Sequence, residues 1–134
     1  MTQWLAGMRI TADRLNNFSP VPVTAAVTPA AGFSATTFDA RKAGGVTQFT
    51  VVLSRTGGTV TADAAGNIVD IPCCTLPAVC RPGTTYNGVY EKSGQAGGTI
   101  RISSDGTCTL TTLNGGASIG SGNTINFSGA FATG

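Results

Sequence analysis

The chain has 134 residues, enough for one domain with a real core, and its composition is polar without being strongly charged. Nineteen glycines, eight Lys/Arg and six Asp/Glu indicate β-strands and turns, and the net charge is only +2. The scattered basic residues disfavour nucleic-acid binding by phosphate neutralisation. No apolar run approaches the ~18–20 residues of a membrane helix, so we expect no membrane insertion. The start lacks the basic stretch followed by an apolar stretch that marks a secretory signal, so we expect no export by the general pathway.

Residues 1–18 differ from the rest of the chain and predict a short N-terminal anchor. Thr11 is placed as an N-cap, and Leu15 and Phe18 lie three apart on one face of the one or two helical turns that would follow. A helix this short is marginal alone. We therefore expect it to dock, with the following apolar side chains as anchors: Trp4, Ile10, Leu15 and Phe18.

Residues 19–31, SPVPVTAAVTPAA, contain three prolines and no charge, which predicts an extended strap. At ~3.1 Å per residue the segment would span roughly 40 Å. Its alternating valines also allow pairing with a sheet, and the prolines would then favour an edge position.

Residues 32–134 are predicted to be strands. TIRIS and CTLTTL alternate apolar and polar residues about a turn at Asp105-Gly106, which is typical of a β-hairpin. A second hairpin is predicted between VTQFTVVLSR and TVTAD, turning at Gly57-Gly58, with Phe49, Val51 and Leu53 on one face. The segment NTINFSGAFATG is predicted to be a final strand.

Turn signals, among them Asn87-Gly88, recur about every 10 residues in this part of the chain. Short strands at that spacing predict an all-β fold, a β-sandwich or jelly-roll knob, behind the helical anchor and the strap.

The residue inventory argues against catalysis. The chain has no histidine, which excludes serine–histidine and cysteine–histidine mechanisms. The six carboxylates fall mostly at turn and cap positions, and no glycine-rich segment has the phosphate-loop pattern. We expect no enzymatic activity and no cofactor.

The four cysteines are Cys73, Cys74, Cys80 and Cys108. Zinc binding is disfavoured because adjacent Cys73 and Cys74 on a strand would point to opposite faces. The favoured interpretation is that most of them are reduced and packed, with one of this pair facing the core, the other facing a neighbouring surface, and Cys80 and Cys108 acting as small hydrophobic residues. A Cys74–Cys80 or Cys80–Cys108 disulfide is the alternative.

Most aromatic residues are expected in the core. Tyr86 and Tyr90 flank the Asn87-Gly88 signal, so exposed rings there, together with Asn87, form the candidate glycan contact.

Two stretches resemble the virion appendage proteins of tailed bacteriophages. The start matches a leader W-x-x-G-x-x-I-T-A-x-x-L-N through Trp4, Gly7, Ile10, Thr11, Ala12, Leu15 and Asn16. The segments TLPAVCRPG, GGTIRISSDGTCTLTTL and NTINFSGAFAT are similar to fibre tip domains. Val79-Cys80 departs from the glycine and aromatic residue that such tips usually carry before Arg-Pro.

This resemblance implies a non-enzymatic protein that is made in the host cytoplasm and resides in the virion. It implies a homotrimeric knob whose partners are copies of itself and the major capsid or tail proteins, with host surface glycan as a further partner. Head attachment is slightly favoured over tail attachment because no long fibre shaft is expected. The alternative is a carbohydrate-binding module that adheres to the host cell.

Overall fold

The computed structural model describes residues 19–132, and in that range every extended regular element is a β-strand. The helical element in that range is a three-residue 3₁₀ turn, Ala78–Cys80. The strands are β1 Val21–Pro22, β2 Thr28–Pro29, β3 Phe33–Ala43, β4 Val46–Arg55, β5 Val60–Thr61, β6 Asn67–Thr75, β7 Tyr86–Lys92, β8 Ala96–Ile102, β9 Thr107–Thr112, β10 Ser118–Ile119 and β11 Thr124–Ala132.

Nine strands form one antiparallel sheet in the order β1-β3-β4-β11-β7-β8-β9-β6-β2, and β5 pairs with β10. Strands β2 and β3 stand near opposite ends of this order, yet only residues 30–32 separate them in the chain. The amide of Phe33 closes the connecting turn by donating to the carbonyl oxygen of Ala30 at 3.1 Å. A connection of three residues cannot cross a flat nine-stranded sheet, so the sheet curls until its two ends meet.

Residues 19–31 supply both outermost strands of that sheet. Strand β1 pairs with β3 through Val21 and Lys42, and β2 pairs with β6 through Thr28 and Thr75. Each of these two-residue strands ends in a proline, at an edge where its missing amide hydrogen breaks no inner ladder. The edge position expected from the prolines is therefore confirmed, and the segment ties together the two ends of the curled sheet.

The core lies on the inner face of the curl. On β4, Phe49, Val51 and Leu53 are buried as their alternation predicts, and Ile125 and Phe127 of β11 lie beside them. The remaining buried side chains include Phe33, Ile100, Ile102, Leu110 and Leu113. Burial of such side chains contributes about 1.5–3 kcal/mol each and drives the sheet to close over them.

The hairpin predicted at Asp105-Gly106 is confirmed as β8–β9. Gly106 has a φ of 91°, which favours glycine, and the Asp105 carboxylate accepts a hydrogen bond from the Thr107 amide at 2.9 Å. The final strand predicted from NTINFSGAFATG is likewise confirmed as β11.

The second predicted hairpin is wrong. Strand β4 pairs with β3 on one side and with β11 on the other, whereas Val60–Thr61 pairs with β10. Both neighbours of β4 offer long ladders, so the two residues of β5 cannot compete for either edge. The turn expected at Asn87-Gly88 is also wrong, because both residues lie within β7 and pair with β8.

The fold class is therefore all-β, built on a curled antiparallel sheet. The predicted N-terminal helix falls on residues 1–18, which lie outside the described residues. The division into anchor 1–18, strap 19–31 and knob 32–134 stays a prediction.

Candidate functional site

The predicted attachment residues Trp4, Ile10, Leu15 and Phe18 lie outside the described residues. What the structure gives is the point where that segment joins the sheet. Ser19 stands two residues before β1, and Val23 then donates its amide hydrogen to the carbonyl oxygen of Ala40 at 2.9 Å. The chain therefore joins the sheet at the edge beside β3.

The candidate glycan residues lie on β7, where they do not converge. Successive side chains of a strand point to opposite faces, so Asn87 faces away from the side shared by Tyr86 and Tyr90. The exposure expected of Tyr90 is wrong, because this side chain is only 3% exposed. Tyr86 is 37% exposed and keeps an accessible ring. The assignment of a glycan contact stays a prediction.

Tyr90 instead bridges strands in the core. Its hydroxyl donates to the carbonyl oxygen of Thr112 on β9 at 2.6 Å, passing over β8, which lies between β7 and β9. Burial raises the pKa of this hydroxyl to about 12, with a further contribution from Cys73. The role of Tyr90 in this structure is therefore packing and hydrogen bonding.

The Tyr86 ring packs against an aromatic cluster that the sequence predicted only in part. Its ring meets that of Phe131 edge-on at 5.2 Å between centroids, and Phe131 in turn lies 5.3 Å from the ring of Phe49. The Tyr86 ring also lies over Gly88, where an added Cβ would approach it to 3.1 Å. A ring held in this way loses little freedom on stacking against an apolar face of a ligand. The alternation of apolar and polar residues along β11 was the sequence pattern that indicated Phe131 as a member of the cluster.

The cysteines form a buried group in which Cys74 lies directly opposite Cys108 on β6 and β9. The surface position expected for one of Cys73 and Cys74 is wrong, because both side chains are buried. A bulge between Pro72 and Cys74 is the reason, since it interrupts the strict alternation of the strand. Cys80 is buried separately, on the 3₁₀ turn.

Hydrogen bonds position these thiols. The Cys73 thiol donates to the carbonyl oxygen of Cys108 at 3.4 Å, and the Cys108 thiol donates to that of Gly106 at 3.6 Å. Contact with the Cys108 thiol and then the Cys73 thiol lowers the pKa of the Cys74 thiol. The same contact with Cys74, together with burial, raises the pKa of Cys108 and of Cys73. Deprotonation of the group is therefore directed to Cys74.

Within residues 19–132, no three His, Cys, Asp or Glu side chains are placed to share a metal ion. The described part of the chain also contains no helix with the length and apolar character needed to cross a membrane. Its two ion pairs, Arg41–Asp39 and Arg101–Asp70, lie on the exposed surface.

The outer face of β8 and β9 presents hydroxyl groups that satisfy one another. The Thr99 hydroxyl lies 2.8 Å from those of both Thr111 and Thr112, and Thr111 donates to the carbonyl oxygen of Thr99 at 3.0 Å. Val89 on neighbouring β7 is exposed. The hydroxyl groups of this part of the surface therefore already have partners, and Arg101, on the same face of β8, is paired with Asp70.

The fold places the protein among all-β proteins with a curled antiparallel sheet. No protein-family model matches the chain, and no curated protein is significantly similar to it.

Proposed function

We propose that this chain is a non-enzymatic structural protein of a bacteriophage particle. Residues 1–18 attach it, and the curled sheet is a knob of β-sandwich or jelly-roll type. The leader W-x-x-G-x-x-I-T-A-x-x-L-N and the tip-like segments supply the resemblance. The structural observation that carries the proposal is the incorporation of residues 19–31 into both edges of the sheet.

An appendage must transmit force between its attachment segment and its body. Here the segment that follows residue 18 enters the sheet at once, pairing Val21 with Lys42 and Pro22 with Arg41. A pull on the leader is resisted first by β1–β3 and then by the pairing of β2 with β6. Such an arrangement suits a knob held firmly on a larger particle, since only residues 19 and 20 separate the proposed attachment segment from β1.

The uncharged side chains of the outer face favour burial against other subunits. The outer hydroxyl groups of Thr99 and Thr111 already have partners, and Val69 and Val89 are exposed beyond them. Burying such a surface costs less desolvation than burying charges. We propose copies of this chain, as a homotrimer, and the capsid or tail proteins as partners in the virion.

The test is to build particles that carry the Trp4→Ala variant of the full chain. Loss of this apolar side chain is expected to reduce the amount of knob that co-sediments with purified particles by tenfold or more, because an anchoring aromatic residue contributes about 2 kcal/mol or more. Val79→Ala, which changes an exposed residue of the 3₁₀ turn outside that surface, is the matched control and should co-sediment normally. Wild-type incorporation of a folded Trp4→Ala protein would refute the attachment role.

The second candidate function is carbohydrate binding at Tyr86. Its support is the half-exposed ring held by Phe131 and Gly88. A glycan array should then show binding by the wild type that Tyr86→Ala abolishes and Val89→Ala keeps. If the protein associates with particles but binds no glycan, only the structural role remains.

A further inference from the structure

The three clustered thiols have a chemistry that the attachment role does not use. Cys74 and Cys108 are opposed residues of neighbouring antiparallel strands, and they are 1% and 0% exposed. We propose that these two residues form a disulfide bond between β6 and β9 when the folded protein meets hydrogen peroxide.

The backbone geometry suits this bond. Opposed residues of an antiparallel pair have Cα atoms about 4.5–5.5 Å apart, within the range of about 4.4–6.8 Å that disulfides span. Opposed side chains also stand on the same face of a sheet. For Cys74 and Cys108 that face is the buried one, so their sulfur atoms share one compartment of the core.

The other two cysteines are placed differently. Cys73 stands at the bulge without a register partner on β9, and its thiol is directed to the carbonyl oxygen of Cys108. Cys80 lies on the 3₁₀ turn, which packs against β4. The Cys74–Cys80 and Cys80–Cys108 bridges considered from sequence spacing are therefore not the ones that the fold favours.

The reaction balances with hydrogen peroxide as the oxidant. The Cys74 thiolate attacks one peroxide oxygen, an S–O bond forms as the O–O bond breaks, and the departing hydroxide takes a proton to become water. The Cys108 sulfur then attacks the sulfur of the resulting sulfenic acid. An S–S bond replaces the S–O bond, and the second hydroxide leaves as water with the proton of Cys108. Two thiols thus lose two electrons to one peroxide molecule.

The disulfide would crosslink β6, the strand that pairs with β2 of the segment 19–31. Cys74 pairs with Pro29 of β2 on one side and with Cys108 on the other, so the crosslink would fix β6 between β2 and β9. Closing a loop of about 35 residues restricts the unfolded chain, and the melting temperature is expected to rise by roughly 10 °C. This consequence belongs to the chain itself and does not depend on attachment to a particle.

The experiment uses the full chain, reduced, freed of reductant and treated with hydrogen peroxide below its melting temperature. Alkylation of the unfolded product should then label two cysteines instead of four, with an intact mass about 2 Da lower before labelling. Trypsin without reduction should yield residues 56–92 linked to residues 102–134, since proline follows Arg81 and prevents cleavage there.

Alanine variants locate the bond within the first peptide. Cys73→Ala and Cys80→Ala should keep the link and the rise in melting temperature after peroxide, whereas Cys74→Ala should lose both. Circular dichroism of each reduced variant checks that it is folded. Four labelled thiols after peroxide, sulfinic acid in place of a disulfide, or a link that persists in Cys74→Ala would each overturn the proposal. If a variant fails to fold, fragmentation of the linked wild-type peptides by tandem mass spectrometry decides, because it shows whether Cys74 or another cysteine of residues 56–92 carries the link.

Discussion

Gly98 occupies a position on β8 where three strands come together. Its register partner on β7 is Tyr90, whose hydroxyl reaches across β8 to the carbonyl oxygen of Thr112 on β9. A Cβ added at Gly98 would overlap that carbonyl oxygen and lie 2.9 Å from the Tyr90 hydroxyl oxygen. The hydrogen bond therefore passes through space that only glycine leaves open.

Replacing Gly98 with alanine should destabilise the protein by about 2–4 kcal/mol. Moving the strands apart to relieve the overlap costs about 1–3 kcal/mol, as overpacking of a core does. Losing the bond from Tyr90 leaves the Thr112 carbonyl oxygen unpaired, which adds about 1–3 kcal/mol. Gly58→Ala is the matched control, since its added Cβ would meet no atom within 4 Å, and its stability should stay within about 0.5 kcal/mol of the wild type.

Urea unfolding followed by far-ultraviolet circular dichroism measures the effect. With a slope of about 1–3 kcal/mol/M, the midpoint of Gly98→Ala should fall by about 1–2 M. Tyr90→Phe alone should lose about 1–2 kcal/mol, and the double variant should lose less than the sum because both changes break the same hydrogen bond. An unfolding midpoint of Gly98→Ala equal to that of Gly58→Ala, or strict additivity with Tyr90→Phe, would refute this reasoning.

Two further predictions concern the core and the pH dependence of stability. Leu110→Ala, at a fully buried position, should lower the free energy of unfolding by about 2.7–5 kcal/mol. Val69→Ala, at a position 82% exposed, should change it by less than about 0.5 kcal/mol. Equal losses of stability for the two variants in urea unfolding would contradict the assigned core. Hydrogen bonds from Asn67, through its side chain and then its amide, lower the pKa of Asp63, so the stabilisation is present above the unfolded-state pKa and is lost as the pH falls through the lower folded-state pKa. Melting temperatures measured from about pH 6 down to about pH 2 should therefore fall less steeply for Asp63→Asn than for the wild type, and parallel profiles would count against this carboxylate.

The candidate glycan site shows what a local sequence pattern can and cannot predict about side-chain exposure. Tyr86 and Tyr90 were expected to be exposed because Asn87-Gly88 is a strong turn signal. Pairing with β8 overrode that signal and placed Tyr90 in the core. The distinction between one half-exposed tyrosine and one buried tyrosine depends on β8 and β9, which a window around residues 86–90 does not contain.

The cysteines illustrate a second limit. Alternation along a strand predicted that Cys73 and Cys74 would face opposite ways, and this rule holds only while the ladder is regular. The bulge at Pro72–Cys74 interrupts it and buries both side chains. The pairing of Cys74 with Cys108 likewise depends on the register of two strands that are far apart in the chain.

The sequence by itself determined the local properties of this protein: the all-β class, the turn at Asp105-Gly106, the inward face of β4 and the preference of the proline-containing segment for an edge if it joined the sheet. These follow from side-chain periodicity and backbone preferences that act within a few residues. Only the tertiary structure decided that β11 lies between β4 and β7, that residues 19–31 tie the two ends of the sheet, and that Cys74 meets Cys108. The physical reason is that an open strand edge accepts any strand of suitable length, and the competition among edges is resolved only when the whole sheet closes over its core.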